Sequence, residues 1–362
     1  MFVAWRDLRF AKGRFALMGT VIVLITLLVG LLSGLTAGLG QQNVSAITGL
    51  PADKIAFAAP SAGEDLSYSD STVTERQWRQ WAATPGVSSA EPLGITTTKA
   101  SVGSKSTGAS VFGVRPGSAL APGGDKIDDQ GAVLSAAAAD GLGVTTGDTF
   151  TLGGRRVSVA AVSGDASFSH TPVIWTSLDT WRKTAPPTGG TDGATATVIA
   201  LSTTSGADIG AADEAAGTKT LAKDDSLSAI GSYASENGSL QLMRGLLFAI
   251  SALVIGAFFT VWTIQRSGDV AVLKALGAST AGLLRDALGQ AVILLTGGTL
   301  IGTGIAAGLG ALVAGSAVPF LLTPATVLVP AVVMIALGAL GAALSIRRIT
   351  SVDPLTALGN AR

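Results

Sequence analysis

The chain has 362 residues, no cysteine and one histidine, His170. The first absence excludes disulfide frameworks, thiolate metal sites and cysteine nucleophiles. The second excludes histidine-rich metal sites and leaves Ser-His-Asp chemistry a single candidate. That candidate lies in Ser-Phe-Ser-His-Thr-Pro (residues 167–172) and reads as a loop residue. No Gly-x-x-x-x-Gly-Lys-Ser/Thr segment occurs, so the chain does not cradle a nucleotide in the P-loop manner. Charge is scarce as well. Asp, Glu, Lys and Arg make up 13% of the residues, about half the share in an ordinary soluble domain.

The charges are also unevenly placed. Residues 15–52, 245–265 and 287–346 contain none of the four charged types, and the mean hydropathy of the chain is +0.52. A bilayer core requires roughly 20 consecutive apolar residues, so these runs read as membrane helices. Pro319, Pro324 and Pro330 divide the longest run. Four spans are expected, near Phe15–Leu39, Leu242–Gln265, Ala287–Ala314 and Ala325–Ile346. The first is longer than the roughly 7–15 residues of a signal-peptide core, which argues against a cleaved leader.

Basic residues flank the runs at Arg6, Arg9, Lys12 and Arg14, at Arg266, Lys274 and Arg285, and at Arg347, Arg348 and Arg362. Residues 40–243 instead hold 13 basic and 20 acidic residues. Short basic flanks mark the cytoplasmic side. Both termini and the 266–286 loop are therefore expected in the cytoplasm of a multi-pass plasma-membrane protein, with the acidic middle outside. The expected fold is an α-helical membrane protein with four transmembrane helices and a mixed α+β extracytoplasmic domain between the first and second. Its divisions are residues 1–40, 41–240 and 241–362, the last including a cytoplasmic loop at 266–284 and a tail at 347–362.

Within the middle segment, Thr72 and Glu75 have capping-box spacing ahead of a short amphipathic helix in Thr74–Val87. Glu91–Val102 and Ala109–Val114 predict a hairpin. Gly131–Asp165 predicts a strand, an Ala-rich helix, a turn at Gly147-Asp148 and a hairpin at Gly153-Gly154. Val173–Trp175 and Thr195–Leu201 read as strands, Ala185–Gly193 as a loop, and residues 208–237 as polar and helix-compatible. The acidic pairs Asp128-Asp129, Asp213-Glu214 and Asp224-Asp225 read as solvated faces. Gly297-Gly298 and Gly302-x-Gly304 lie in a span, where small residues let helices approach closely.

The loop RSGDVAVLKALGAS (Arg266–Ser279) sets Val270, Leu273, Leu276 and Gly277 at helical spacing, with Asp269 and Lys274 off that stripe. The stripe is short and its basic residues few, which suits a partner's groove better than a membrane surface. This segment resembles the R-x-x-E-I-x-x-L-[RK]-A-[LI]-G-A-[ST] pattern of FtsX-like, MacB-type ABC transporter permeases, with Asp269 in place of Glu and Val270 in place of Ile. AWRDLRFAKGRFALM (Ala4–Met18), LSAAAADGLGVTTGDTFTLGG (Leu134–Gly154) and RRITSVDPLTALG (Arg347–Gly359) are similar to other segments of that family. The order of one span, a large outer domain and three spans matches too.

The resemblance implies a type VII permease: two copies of the chain paired with two cytoplasmic ABC ATPase subunits, which hold the ATP and magnesium. Residues 266–284 would be the coupling helix, with Arg266, Asp269, Val270, Leu273, Lys274, Leu276 and Gly277 at the ATPase. The chain itself is then expected to be no enzyme, to carry no cofactor or resident metal, and to contact lipid and no nucleic acid. Substrates within the family include haem, macrolides, peptides, lipids and lipoproteins, and one branch regulates cell-wall hydrolases. Haem export is the favoured expectation.

A haem site is expected where the first two spans reach the outer leaflet. In YASENGSLQLMRGLLF (Tyr233–Phe248), Glu236 and Met243 share a helix face across two turns, with Tyr233 on the same side. A carboxylate and a thioether can each meet haem iron. Gln41 ends the first span beside Gln42 and Asn43, and Arg244 can pair with a propionate. The plainer readings are an interfacial polar residue for Glu236, a flexible core filler for Met243, a helix cap at Gln41–Asn43 and lipid phosphate for Arg244.

Overall fold

The structure is a computed structural model and describes residues 12–184, 194–265, 268, 272, 276–277, 279–313 and 318–350. The chain divides into a helical unit, residues 1–38 and 239–362, and an outer unit, residues 39–238.

The first helix, α1, runs unbroken from Lys12 to Thr48. In the outer unit follow β1 (Lys54–Ala58), β2 (Val73–Thr74), α2 (Glu75–Ala82), β3 (Val87–Val102), β4 (Lys105–Val114), β5 (Gly131–Leu134), α3 (Ala136–Leu142), β6 (Thr149–Leu152) and β7 (Arg155–Val162). Then come β8 (Ser167–Phe168), β9 (Thr171–Ser177), α4 (Leu178–Thr184), β10 (Ala194–Ala196), β11 (Val198–Thr203), α5 (Ile209–Ala216) and β12 (Thr218–Ala222). Three long helices follow among the described residues: α6 (Gly231–Gln265), α7 (Thr280–Val313) and α8 (Pro324–Thr350).

Among the described residues, four helices are long and apolar enough to cross a membrane, at Ala16–Thr48, Gly231–Gln265, Ala281–Val313 and Pro324–Leu344. A helix pairs its backbone groups internally, as hydrocarbon demands; Pro330 interrupts that ladder once in α8. α1 does not stop at Leu39. It continues for nine more residues, so Gln41–Asn43 lie inside a helix and do not cap one. In the helical unit, a Cβ on Gly302 of α7 would lie 2.6 Å from the Val23 carbonyl oxygen of α1, and one on Gly298 2.7 Å from Ile22. Glycine at these positions lets the two backbones meet.

The outer unit is built on one mixed sheet ordered β12-β1-β11-β3-β4-β9-β5-β7-β6. β6 also pairs with β3, Ala100 opposite Leu152, so six of the strands close into a ring. β4–β9 and β5–β7 are parallel, and the other pairs are antiparallel. Neighbouring residues on these strands serve opposite faces. Val111, Leu134 and Ile174 join Trp81, Leu142 and Trp181 of the short helices. Phe112, Val133 and Trp175 join Val44 and Ile47 of α1, with Tyr68 and Phe168, in a second core.

Several local expectations need correction. The capping box is Thr74 with Gln77, two residues beyond the expected pair. Gln77 N–H donates to Thr74 Oγ1, and Thr74 N–H donates to Gln77 Oε1. Thr74 has the extended backbone of an N-cap, and Thr72 lies too early to supply one. Residues 208–237 are not simply helical, because β12 lies among them and extends the sheet beside β1. The expected loop at 185–193 lies outside the described residues.

Gly94 and Gly113 stand opposite each other on β3 and β4. A Cβ on either would run into Trp181 of α4. Gly94→Ala should therefore destabilise the outer unit by about 1–3 kcal/mol through overpacking, seen as a lower midpoint when tryptophan fluorescence of the full chain is followed on heating.

Tyr68 is packed edge-on against Phe57 and Phe168 at 4.8 and 5.6 Å. Burial pushes its phenol well above the usual 10.0, with the Ser226 hydrogen bond pulling weakly the other way. The phenol in the unfolded chain releases its proton near pH 10.0, so this contribution to stability is complete below that pH and falls as pH rises above it. The difference in midpoint between wild type and Tyr68→Phe should be constant up to about pH 10 and shrink above it, measured across an alkaline thermal-denaturation series.

Candidate functional site

The outer end of α1 packs against the β8–β9 turn. Ser45 Oγ accepts from the Ser167 N–H at 2.9 Å, and the Ser169 and His170 N–H groups donate to the Asn43 and Gln42 carbonyls at 3.0 and 3.2 Å. β8 and β9 pair Phe168 with Thr171, so Ser169-His170 forms a two-residue loop. Both residues are left-handed, with φ of 50° and 61°, and they are the only non-glycine residues with positive φ among the described residues. Asn-Gly is the usual occupant of such a loop. Ser-His holds it at a strain of about 1–3 kcal/mol per residue.

Surrounding bonds hold the turn in place. Thr171 Oγ1 donates to the Phe168 carbonyl at 2.8 Å, and Ser110 Oγ lies 2.6 Å from Thr171 Oγ1. Phe168 is wedged against Phe112 at 5.5 Å.

The side chains of the turn meet the first turns of α6. His170 Nε2 lies 2.8 Å from Glu236 Oε2. Ser169 Oγ lies 2.8 Å from Ser232 Oγ. Asn43, buried at 2% exposure, sits among them. Its Nδ2 is 3.5 Å from Glu236 Oε2 and 3.2 Å from His170 Nε2, and its Oδ1 accepts from Ser232 Oγ at 2.6 Å. An ionised carboxylate only accepts, so beside it Nε2 carries the proton and donates to Oε2, and the Asn43 Nδ2 contact with Nε2 is then a packing contact rather than a hydrogen bond. The His170 and Glu236 side chains are 29% and 45% exposed, which leaves the pair open to a ligand from outside.

Of the residues singled out in the sequence, Glu236 lies in this cluster. Tyr233, one turn earlier on α6, packs on the second core. Gln41 is exposed, and the inward residues at that level are Gln42 and Asn43. Met243, at 47% exposure, and Arg244 are exposed on the part of α6 that belongs to the helical unit. Of the coupling segment, Leu276 is exposed at 79% and Gly277 has φ of 93°. Arg266, Asp269, Val270, Leu273 and Lys274 lie outside the described residues. Sequence reasoning missed His170 as a partner of Glu236. They are 66 residues apart and joined only by the fold; a lone histidine in a polar turn carried no local sign of it.

Asn43→Ala takes the Oδ1 acceptor from the Ser232 hydroxyl, which keeps only Ser169 Oγ, and removes a donor from Glu236. It should cost about 1–3 kcal/mol, whereas Gln41→Ala, at an exposed position, should stay within about 0.5 kcal/mol. Chemical denaturation of the full chain in lipid nanodiscs compares the two.

Known proteins place this architecture. The family model for the MacB-like periplasmic core domain matches residues 15–219, and that for the FtsX-like permease C-terminal region matches residues 242–354. A Staphylococcus haemolyticus protein named as a hemin transport system permease protein, HrtB, is 24% identical over 368 residues, covering 99% of both chains. An uncharacterized ABC transporter permease of Mycobacterium bovis, Mb2592, is 24% identical over 376 residues with the same coverage. Among solved structures, the periplasmic region of MacB from Actinobacillus actinomycetemcomitans covers 50% of this chain and 94% of its own, at 14% identity and a TM-score of 0.36. The two family models together take in nearly the whole length, and the chain belongs to the FtsX-like, MacB-type family of ABC transporter permeases.

Proposed function

We propose that this permease is the membrane subunit of a haem exporter. The carrying observation is the Glu236 carboxylate, held on one oxygen by His170 and still 45% exposed. Further along α6, Leu242, Met243 and Leu246 are 65%, 47% and 54% exposed, apolar surface of the kind a porphyrin body favours. The full-length similarity to proteins named for hemin transport supports the same reading.

In this proposal two copies of the chain work with two ATPase subunits bound at residues 266–284, and the termini face the cytoplasm. ATP-driven closure of the ATPases moves the long helices and the outer unit, and haem leaves from the outer leaflet. Glu236 supplies an oxygen to ferric iron, Met243 a thioether, and Arg244 and Gln41 polar contacts near the porphyrin, with Tyr233 behind them.

Titration of the purified chain in nanodiscs with hemin, followed at the Soret band, tests this. The expected result is a saturable shift near one haem per two chains, weakened at least about tenfold in Glu236→Ala, with Met243→Ala altering the ligand-field bands. Absence of saturable binding would overturn the haem assignment in favour of another substrate class, such as a lipid or peptide.

A further inference from the structure

We propose that His170 is the positioning residue for the Glu236 carboxylate, fixing it by Oε2 so that Oε1 is presented to the iron of a bound haem. The inference rests on the haem reading and adds to it a residue that the haem ligand set did not contain.

The geometry separates the two carboxylate oxygens. Oε2 takes the Nε2–H of His170 at 2.8 Å and faces Asn43 Nδ2 at 3.5 Å. Oε1 has no hydrogen-bond partner among the described residues, and the side chain is 45% exposed. A carboxylate can ligate a metal through one oxygen while the other is held by a hydrogen bond, and such outer partners fix the ligand's orientation. Without them, an exposed glutamate samples several rotamers and must give up that freedom on binding.

His170 is itself unable to follow a wandering carboxylate. Its backbone is locked in the left-handed region at φ 61°, its N–H is bonded to the Gln42 carbonyl at 3.2 Å, and the preceding Ser169 is tied to Ser232 of α6. Backbone strain persists where the surroundings over-determine it, and it gathers at sites of function. Glycine would relieve the strain at residue 170 and also delete the imidazole. A histidine in this turn is accounted for by what its side chain holds.

Three proteins in nanodiscs test the assignment: wild type, His170→Ala and His170→Gln, each titrated with ferric hemin and with metal-free protoporphyrin IX. His170→Ala should weaken hemin binding about 10- to 100-fold, the range for loss of a ligand's outer partner. His170→Gln, whose amide can donate to Oε2, should recover most of that loss. Protoporphyrin IX, which has the apolar body but no iron, should bind all three alike.

Hemin affinity unchanged in His170→Ala overturns the inference and leaves the haem reading intact. Equal loss of hemin and protoporphyrin IX also overturns it, since the residue would then serve the fold alone. Equal hemin loss in both variants with a changed ferric spin state overturns it in favour of His170 as the iron ligand. Failure of the wild type to bind hemin removes the haem reading itself, a result distinct from all of these.

Discussion

Hydrocarbon offers backbone groups no hydrogen-bond partner, so each crossing segment must be a complete helix. About 20 residues suffice for a crossing, yet α1 has 37 and α6 has 35. The surplus of each belongs to the outer unit, which therefore has to hold two helix ends as well as its own sheet. It does so with polar contacts. Lys223 Nζ donates to the Thr48 and Leu50 carbonyls at 2.9 and 2.8 Å, satisfying acceptors at the end of α1 and complementing its dipole. Asn43 and Ser232 link α1 to the first turn of α6 at 2.6 Å.

The apolar core of the outer unit follows from that arrangement. A sheet carrying helices on one face alone would leave the other open. Here α2–α5 cover one face, while the end of α1 supplies Val44, Ala46 and Ile47 to the other. The strained Ser169-His170 turn lies at the edge of this second core, anchored through Phe168. The turn thus forms a firm base beneath two half-buried polar groups, His170 and Glu236.

Much of this architecture was legible in the residues. Stretches free of charge marked the spans because ionised groups are costly in lipid, and two Thr/Ser/Val-rich stretches marked the β3–β4 hairpin. The Gly153-Gly154 turn joins β6 and β7, both glycines having positive φ. Legibility failed where sequence patterns were degenerate. Two Thr residues lie near the start of α2, and only the backbone conformation selects Thr74 over Thr72. Thr218–Ala222 has no strong strand pattern and becomes a strand because β1 offers it an edge.

Membrane-crossing helices with an acidic mixed domain between the first and second are readable from the residues alone, because the length and composition of a segment fix whether lipid will accept it. The sequence also singled out Glu236 as a carboxylate at the start of the second long helix. That Glu236 meets His170, 66 residues away, and Asn43, 193 residues away, emerges only once the chain is folded. Pairing between distant segments depends on sheet register and on a turn held in a left-handed conformation, and neither is encoded in the neighbours of the residues it brings together.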